Sequence, residues 1–305
     1  MSSIEATDVV KEYGDVSALD GLSLRVDGGI VGLLGTNGAG KTTLFKLLIG
    51  LDSPDSGHVE VVGRSPRAGT AVRERVGYLP ESASFPPSLT GREVLTFHAR
   101  MRGVPEGRRE QRVAQVLAVI GLDAAGDRAV RGYSNGMNRR LGLGTAIVAD
   151  PDVLLLDEPT AGLDPRGIER FHGIIERLVD GRDLTVVFAS HALAEVERLC
   201  DRVAIVHDGT IVAQGSVADL RRQGTTPTVE ATFGDSDVAI DVADRVRTNQ
   251  DATRVTRTGS QISVDCESPY AVVQTLHEEA EPTRFEVREP GLEAAFESAL
   301  GGERT

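Results

Sequence analysis

The run Gly35-Thr36-Asn37-Gly38-Ala39-Gly40-Lys41-Thr42 fits the pattern GxxxxGK[ST], and Thr43 follows it. Its chemistry is phosphate binding. Glycines let the backbone curl so that successive N–H groups point inward at phosphate oxygens. A helix opening directly after the loop adds its positive end. Lys41 then reaches the outer phosphates, and the Thr42 hydroxyl suits a Mg²⁺ ion. A second candidate is Asp157-Glu158, two carboxylates that close the apolar run Val153–Leu156. A buried strand delivers such a pair to the C-terminal edge of an open α/β sheet, where ligands bind. Asp157 suits holding Mg²⁺ through water, and Glu158 suits a general base that polarises an attacking water. Each segment alone has a plain alternative: a chance glycine-rich turn, or a strand that exits into a polar loop. Together they specify a bound nucleotide.

The elements that must carry these residues alternate as in an α/β domain. Ile30–Leu34 reads as a short strand before the loop, and Thr42–Leu51 as the helix after it. Val153–Leu156 and Leu184–Ala189 read as buried strands. Arg166–Leu178 reads as a helix, with Asp164-Pro165 in cap and first-turn positions. Residues 90–148 are expected to form a helical subdomain, with helices over Arg92–Arg102 and Glu106–Ile120. The polar stretch Arg221–Pro227 reads as a linker, which gives a first domain over 1–222 and a second over 228–305. The second is expected as strand 228–233, helix 236–247, strands 252–257 and 260–265, helix 269–279 and strand 283–288. That order, βαββαβ, is the ferredoxin-like α+β arrangement, and Leu292–Leu300 adds a last amphipathic helix.

Composition sets the outer limits. The 305 residues are 40% hydrophobic, enough for one large core and a smaller one. With 46 acidic and 33 basic side chains the formal charge is −13, which repels polyphosphate backbones and argues against nucleic acid as a partner. The lysines are Lys11, Lys41 and Lys46, and the other basic residues are arginines. An acidic, lysine-poor surface fits adaptation to high salt, or an ordinary acidic cytosolic protein. Cys200 and Cys266 form no CxxC pair and read as reduced, buried thiols. The opening residues hold no secretory apolar core, and no apolar run approaches the roughly 20 residues that span a bilayer. A soluble chain is expected.

A phosphate loop does not choose among kinases, GTPases and transporters. The choice comes from Tyr133-Ser134-Asn135-Gly136-Met137, which resembles the signature of ABC transporter ATPases (LSGGQ) in its YSxGM form. The following run NRRLGLGTAIVADPDVLLLDEPTAGLDP continues that resemblance without a break. Within it Asp164 matches the family's D-loop, and further on His191 matches its switch histidine. Tyr13 matches the aromatic residue that stacks on adenine, although a plain strand aromatic would look the same. The resemblance covers nearly the whole first domain. It implies an ATPase that binds ATP and Mg²⁺ and acts as a head-to-tail homodimer. Each phosphate loop would face the Ser134, Asn135 and Gly136 turn of the second copy across a shared ATP. It also implies a separate transmembrane permease, which would hold the chain peripherally on the cytoplasmic face of the membrane, near the helical insert and the Glu81–Ser88 loop.

Tyr133, Asn135 and Met137 stand where the family commonly has Leu, Gly and Gln, and they leave the serine and the close-approaching glycine in place. Asn135 tolerates a left-handed backbone better than most residues. Glu81 stands where the family's Q-loop usually carries Gln. It would ligate Mg²⁺ through a carboxylate, or serve only as a hinge residue. The segment VGYLPESASFPPSLTGREVLTFHARMRG, with the closing EVREPGLEAAFESAL, is similar to the Nos-type ATPases linked to copper and nitrous oxide reductase maturation. The competing resemblance is to ABC-2-type exporters of drugs or polysaccharides. A copper(I) site in the second domain is disfavoured, because one cysteine and no methionine lie there. A regulator without hydrolysis would require an inert Glu158.

Overall fold

The computed structural model describes residues 3–67, 69–224, 227–248, 251–288 and 291–299. The chain divides into two compact units, Met1–Ser216 and Val217–Thr305. The first unit contains strands β1 (Ile4–Tyr13), β2 (Val16–Val26), β3 (Ile30–Leu34), β4 (Ser56–Val61), β5 (Val76–Leu79), β6 (Val153–Asp157), β7 (Thr185–Ser190), β8 (Arg202–His207) and β9 (Thr210–Ser216). Its helices are α1 (Lys41–Leu48), α2 (Ala71–Arg75), α3 (Gly91–Met101), α4 (Glu106–Val119), α5 (Asn135–Ile147), α6 (Pro165–Val179) and α7 (Leu193–Leu199).

Strands β5-β6-β7-β3-β8 pair in parallel in that order, and β9 closes one edge antiparallel. Every residue of β3, β6 and β7 is buried. This is why their sequences are unbroken apolar runs: a parallel sheet is covered on both faces. A separate antiparallel sheet has the order β2-β1-β4. Leu44, Phe45 and Leu48 of α1 lie in one core with Ile4, Leu19 and Leu155, so the helix behind the phosphate loop is seated on both sheets. Burying a side chain such as Phe45 contributes about 2–3 kcal/mol, and the loop inherits that rigidity.

The expected helical region contains α3, α4 and α5. The first of these opens with a capping box: Glu93 N–H donates to Thr90 Oγ1 (3.2 Å) and Thr90 N–H donates to Glu93 Oε2 (2.8 Å). Such reciprocal bonds satisfy two orphan donors of the first turn. Arg140 of α5 donates to the carbonyls of Ile120 and Gly121, both at 2.7 Å, fastening α5 to the end of α4.

The second unit holds α8 (Val217–Gly224), β10 (Thr228–Thr232), α9 (Ser236–Val246), β11 (Ala252–Thr258), β12 (Gln261–Cys266), α10 (Pro269–Glu279), β13 (Arg284–Arg288) and α11 (Leu292–Ala299). Its antiparallel sheet has the order β11-β12-β10-β13, the ferredoxin-like arrangement. Val229, Ala231, Ile262 and Val264 meet Val242 and Val246 of α9 and Val272 and Leu276 of α10 in a second core. The linker expected at Arg221–Pro227 needs correction. Residues 221–224 finish helix α8, whose Val217 and Leu220 are buried and which packs with α11. The boundary between the units therefore precedes that helix; Thr225 and Thr226 lie outside the described residues. Both cysteines are free and buried, and desolvation pushes both thiols above their ordinary range.

Candidate nucleotide site

The loop of residues 35–40 joins β3 to α1. Gly40 caps the helix at φ +106°, where a side chain would be strained and a Cβ would stand 2.6 Å from the carbonyl oxygen of Ala18. Lys41 is 6% exposed and folds back over the loop, donating to Gly35 O at 2.6 Å and Thr36 O at 3.1 Å. Its ammonium also lies 3.4 Å from Glu158 Oε1, an ion pair by distance without hydrogen-bond geometry. Thr43, one residue further along α1, follows the two residues that face the carboxylates.

Sheet register gathers the rest. Because β6 and β7 are parallel neighbours with Asp157 opposite Ala189, the residues just beyond their ends are brought together. Glu158 N–H donates to Ala189 O (3.0 Å), and His191 Nδ1 lies 2.9 Å from Glu158 Oε2. Thr42 Oγ1 donates to Asp157 Oδ2 at 2.9 Å, and the Tyr78 hydroxyl donates to the same oxygen at 3.3 Å. Asp157 Oδ1 is buried without a hydrogen-bond partner. Desolvation pushes the Asp157 carboxyl above its ordinary range, opposed by the bonds from Thr42 and Tyr78. A buried carboxylate oxygen with no donor, beside a threonine hydroxyl, fits a divalent cation. Among the described residues no three His, Cys, Asp or Glu side chains gather as a metal cluster. Mg²⁺ needs none, since phosphates and water complete its shell. The main-chain carbonyl of Glu81 accepts from Arg139 (2.7 Å); its side chain is exposed, and its charge adds to the rise of the Asp157 carboxyl.

At the end of β1, Tyr13 is 43% exposed, and its hydroxyl donates to Asp52 Oδ2 at 2.6 Å. The Lys11 ammonium stands 5.2 Å from the ring centroid and 3.3 Å and 3.2 Å from Asp52 and Asp55. The Tyr13 hydrogen bond is the largest cause holding the Asp52 carboxyl below its ordinary range. Tyr13 is thus fixed at its tip and on one face, a suitable platform for a flat base.

Ser134, Asn135 and Gly136 are placed elsewhere. They line a concavity of about 460 Å³ with Asp164, Arg166 and Arg170, and no phosphate-loop residue borders it. Ser134 caps α5, accepting from Met137 N–H at 3.2 Å. Asp164 caps α6, accepting from Gly167 N–H at 2.9 Å. The Asn135 amide donates to Gly162 O (2.8 Å), which binds the first residue of α5 to the turn before α6.

Sequence reasoning passed over Tyr78, Lys11 and Asp52. Tyr78 lies in the VGYLPE run, but nothing local in a sequence shows a hydroxyl reaching a carboxylate 79 residues away.

Residues 19–161 match the family model described as ABC transporter. A daunorubicin resistance ATP-binding protein of Streptomyces coeruleorubidus is 41% identical over 224 residues, covering 73% of this chain and 71% of its own. A linearmycin resistance ATP-binding protein of Bacillus subtilis (strain 168) is 32% identical over 306 residues, covering 98% of both chains. Among solved structures, an ATP-binding subunit of an ABC transporter superposes with a TM-score of 0.65 at 31% identity, covering 72% of this chain and 92% of its own. A protein from Clostridium perfringens, part of the ABC transporter complex cbiONQ, gives 0.65 at 26% identity, covering 73% and 94%.

Proposed function

Because the chain belongs to the ATP-binding, ATP-hydrolysing subunits of ABC transporters, we propose that it drives an ABC-2-type exporter of an antibiotic-like or similarly bulky small molecule through a separate membrane permease. The relatives that support this reading confer daunorubicin, linearmycin and bacitracin resistance or transport, or export Nod factor. They favour the exporter over the Nos-type, copper-related reading, which gains no support from them.

The observation that carries the ATPase chemistry is the pair of contact chains Thr42–Asp157 and Lys41–Glu158–His191, at the start of α1 and the ends of β6 and β7. Lys41 and the loop amides neutralise the triphosphate. Glu158 orients the attacking water and takes its proton, and His191 holds the carboxylate in place. Thr42 and Asp157 would hold Mg²⁺, which when bound draws charge from the phosphate oxygens. The Ser134 concavity, set away from its own phosphate loop, supports an ATP site completed by a second copy.

A groove of about 640 Å³, lined by Leu79, Ala83, Phe85, Pro86, Phe97 and His98 among others, supports permease docking there. Phe97 is 57% exposed on its rim. Among the described residues no helix is long and apolar enough to cross a membrane, in keeping with a path supplied by another chain. Attachment to the inner membrane face would follow from that docking.

The test is expression with the cognate permease in a drug-sensitive host challenged with daunorubicin, linearmycin or bacitracin. Resistance that disappears in Lys41→Ala is expected. Unchanged sensitivity to all three, together with a defect in copper delivery on deletion, would overturn the exporter assignment and leave the ATPase intact.

A further inference from the structure

Arg139 lies in the run that follows the Ser134 turn, where it was given no role, and every N–H donor of its guanidinium is used. Nε donates to Pro159 O (2.6 Å), and Nη1 donates to Pro80 O (2.6 Å) and Glu81 O (2.7 Å). Nη2 donates to Asp157 O (2.8 Å) and Glu158 O (2.7 Å). One side chain of α5 therefore holds the exit of β5 and the exit of β6 together. The residue is 7% exposed, and desolvation lowers its pKa to about 10. A buried guanidinium is tolerated when its planar fork of donors is fully met. The partners here are main-chain carbonyls, so what the fork fixes is backbone.

The backbone it fixes is unusual. Glu158 lies at φ +43°, a left-handed conformation that a non-glycine residue holds only when its surroundings impose it. Arg139 binds the carbonyl of Glu158 itself and those of the residues on either side. It also leaves the helix that begins at the Ser134 turn, one rigid turn and a half away.

We propose that Arg139 is a positioning residue that locks Glu158 in its left-handed conformation and relays the position of the Ser134 turn to that base. The inference rests on the ATPase reading above. A shift of the turn, as when it grips a phosphate, moves the anchor of α5 and with it the peptide that carries the catalytic carboxylate. The main chain at Glu81 is drawn into the same relay through Nη1. A lysine cannot replace the fork, because its three donors radiate from one point and do not span two strand exits.

The test uses the full chain with its permease and the variants Arg139→Lys and Glu158→Gln, singly and combined. Single-turnover hydrolysis is followed with labelled ATP, nucleotide binding with a fluorescent ATP analogue, and folding by thermal melting. Arg139→Lys is expected to lower the hydrolysis rate by about 30- to 100-fold, the scale of a misplaced catalytic group. Its affinity for ATP should stay within about threefold of wild type. In the Glu158→Gln background the same change should cost almost nothing further, because both act through one group. Full hydrolysis in Arg139→Lys would overturn the proposal. So would an equal fractional loss in both backgrounds, or parallel losses of binding and hydrolysis, each of which marks a general structural effect. Should the lysine variant melt below assay temperature, Arg139→Gln carries the same comparison. Normal turnover in Glu158→Gln alone would instead refute the assignment of the base, whatever Arg139 does.

Discussion

Replacing Glu158 by glutamine should separate hydrolysis from binding, with opposite signs. The amide keeps the size of the carboxylate and its contact with His191, but it takes up no proton. A positioned general base is worth about 10²–10⁴ in rate, so turnover should fall by about 10³-fold. Binding should not fall with it. The carboxylate is almost buried and 3.4 Å from the Lys41 ammonium. At an effective dielectric near 20, that separation corresponds to a gross attraction of about 5 kcal/mol, most of it cancelled by desolvation of the two groups. An amide removes this competitor for the lysine and a like charge beside the phosphates. Affinity for ATP should therefore hold or rise a few-fold. Measuring the dissociation constant by fluorescence titration and turnover by phosphate release gives both numbers on one preparation. A weaker affinity that accounts for the lost turnover would show that Glu158 serves binding alone, and the reasoning would fail.

Other consequences are equally open to measurement. Because burial raises the Asp157 carboxyl above its ordinary range, Mg²⁺-dependent ATP affinity should decline on acidification at a higher pH than a free aspartate would give. Tyr78→Phe removes one of the bonds that oppose that rise, so Mg²⁺ titrations across pH should show the decline moving further up. Gly40→Ala should abolish ATP binding and lower the melting temperature, since its Cβ would collide with Ala18 O of β2 at a left-handed backbone position; retained binding would contradict that geometry. Phe85→Ala in the apolar groove should leave the ATPase of the isolated chain intact and reduce transport with the permease, read as transport per ATP in vesicles. With a formal charge of −13, thermal stability should rise with added salt as self-repulsion is screened; indifference up to molar salt would remove the high-salt reading.

The phosphate loop and the Asp157-Glu158 pair were legible because each is a local device: a glycine pattern, or an apolar strand that ends in acid. The two helices of the insert and the βαββαβ order were legible for a related reason, since hydrophobic period and turn residues are written locally. What escaped were arrangements made by distant partners. Tyr78 gives no local sign that its hydroxyl meets Asp157. Arg139 reads as one of two adjacent arginines in a helix, and only packing shows it buried on carbonyls from residues 80–81 and 157–159. The supposed linker misled for the opposite reason. Its Gly and Thr residues look like a loop, but the apolar Val217 and Leu220 just before them anchor a helix. The paired Lys11 and Asp52 behind Tyr13 were likewise hidden, because β1 and the segment after α1 meet only in the folded chain.

The bond from the Asn135 amide to Gly162 O has a consequence for assembly. It welds two separate turns into one surface. If the proposed two-copy ATP site forms, the second copy would meet a finished mould rather than two wandering loops, so less freedom would be surrendered on contact. Weakening that weld should slow association more than it harms the pocket that holds the nucleotide.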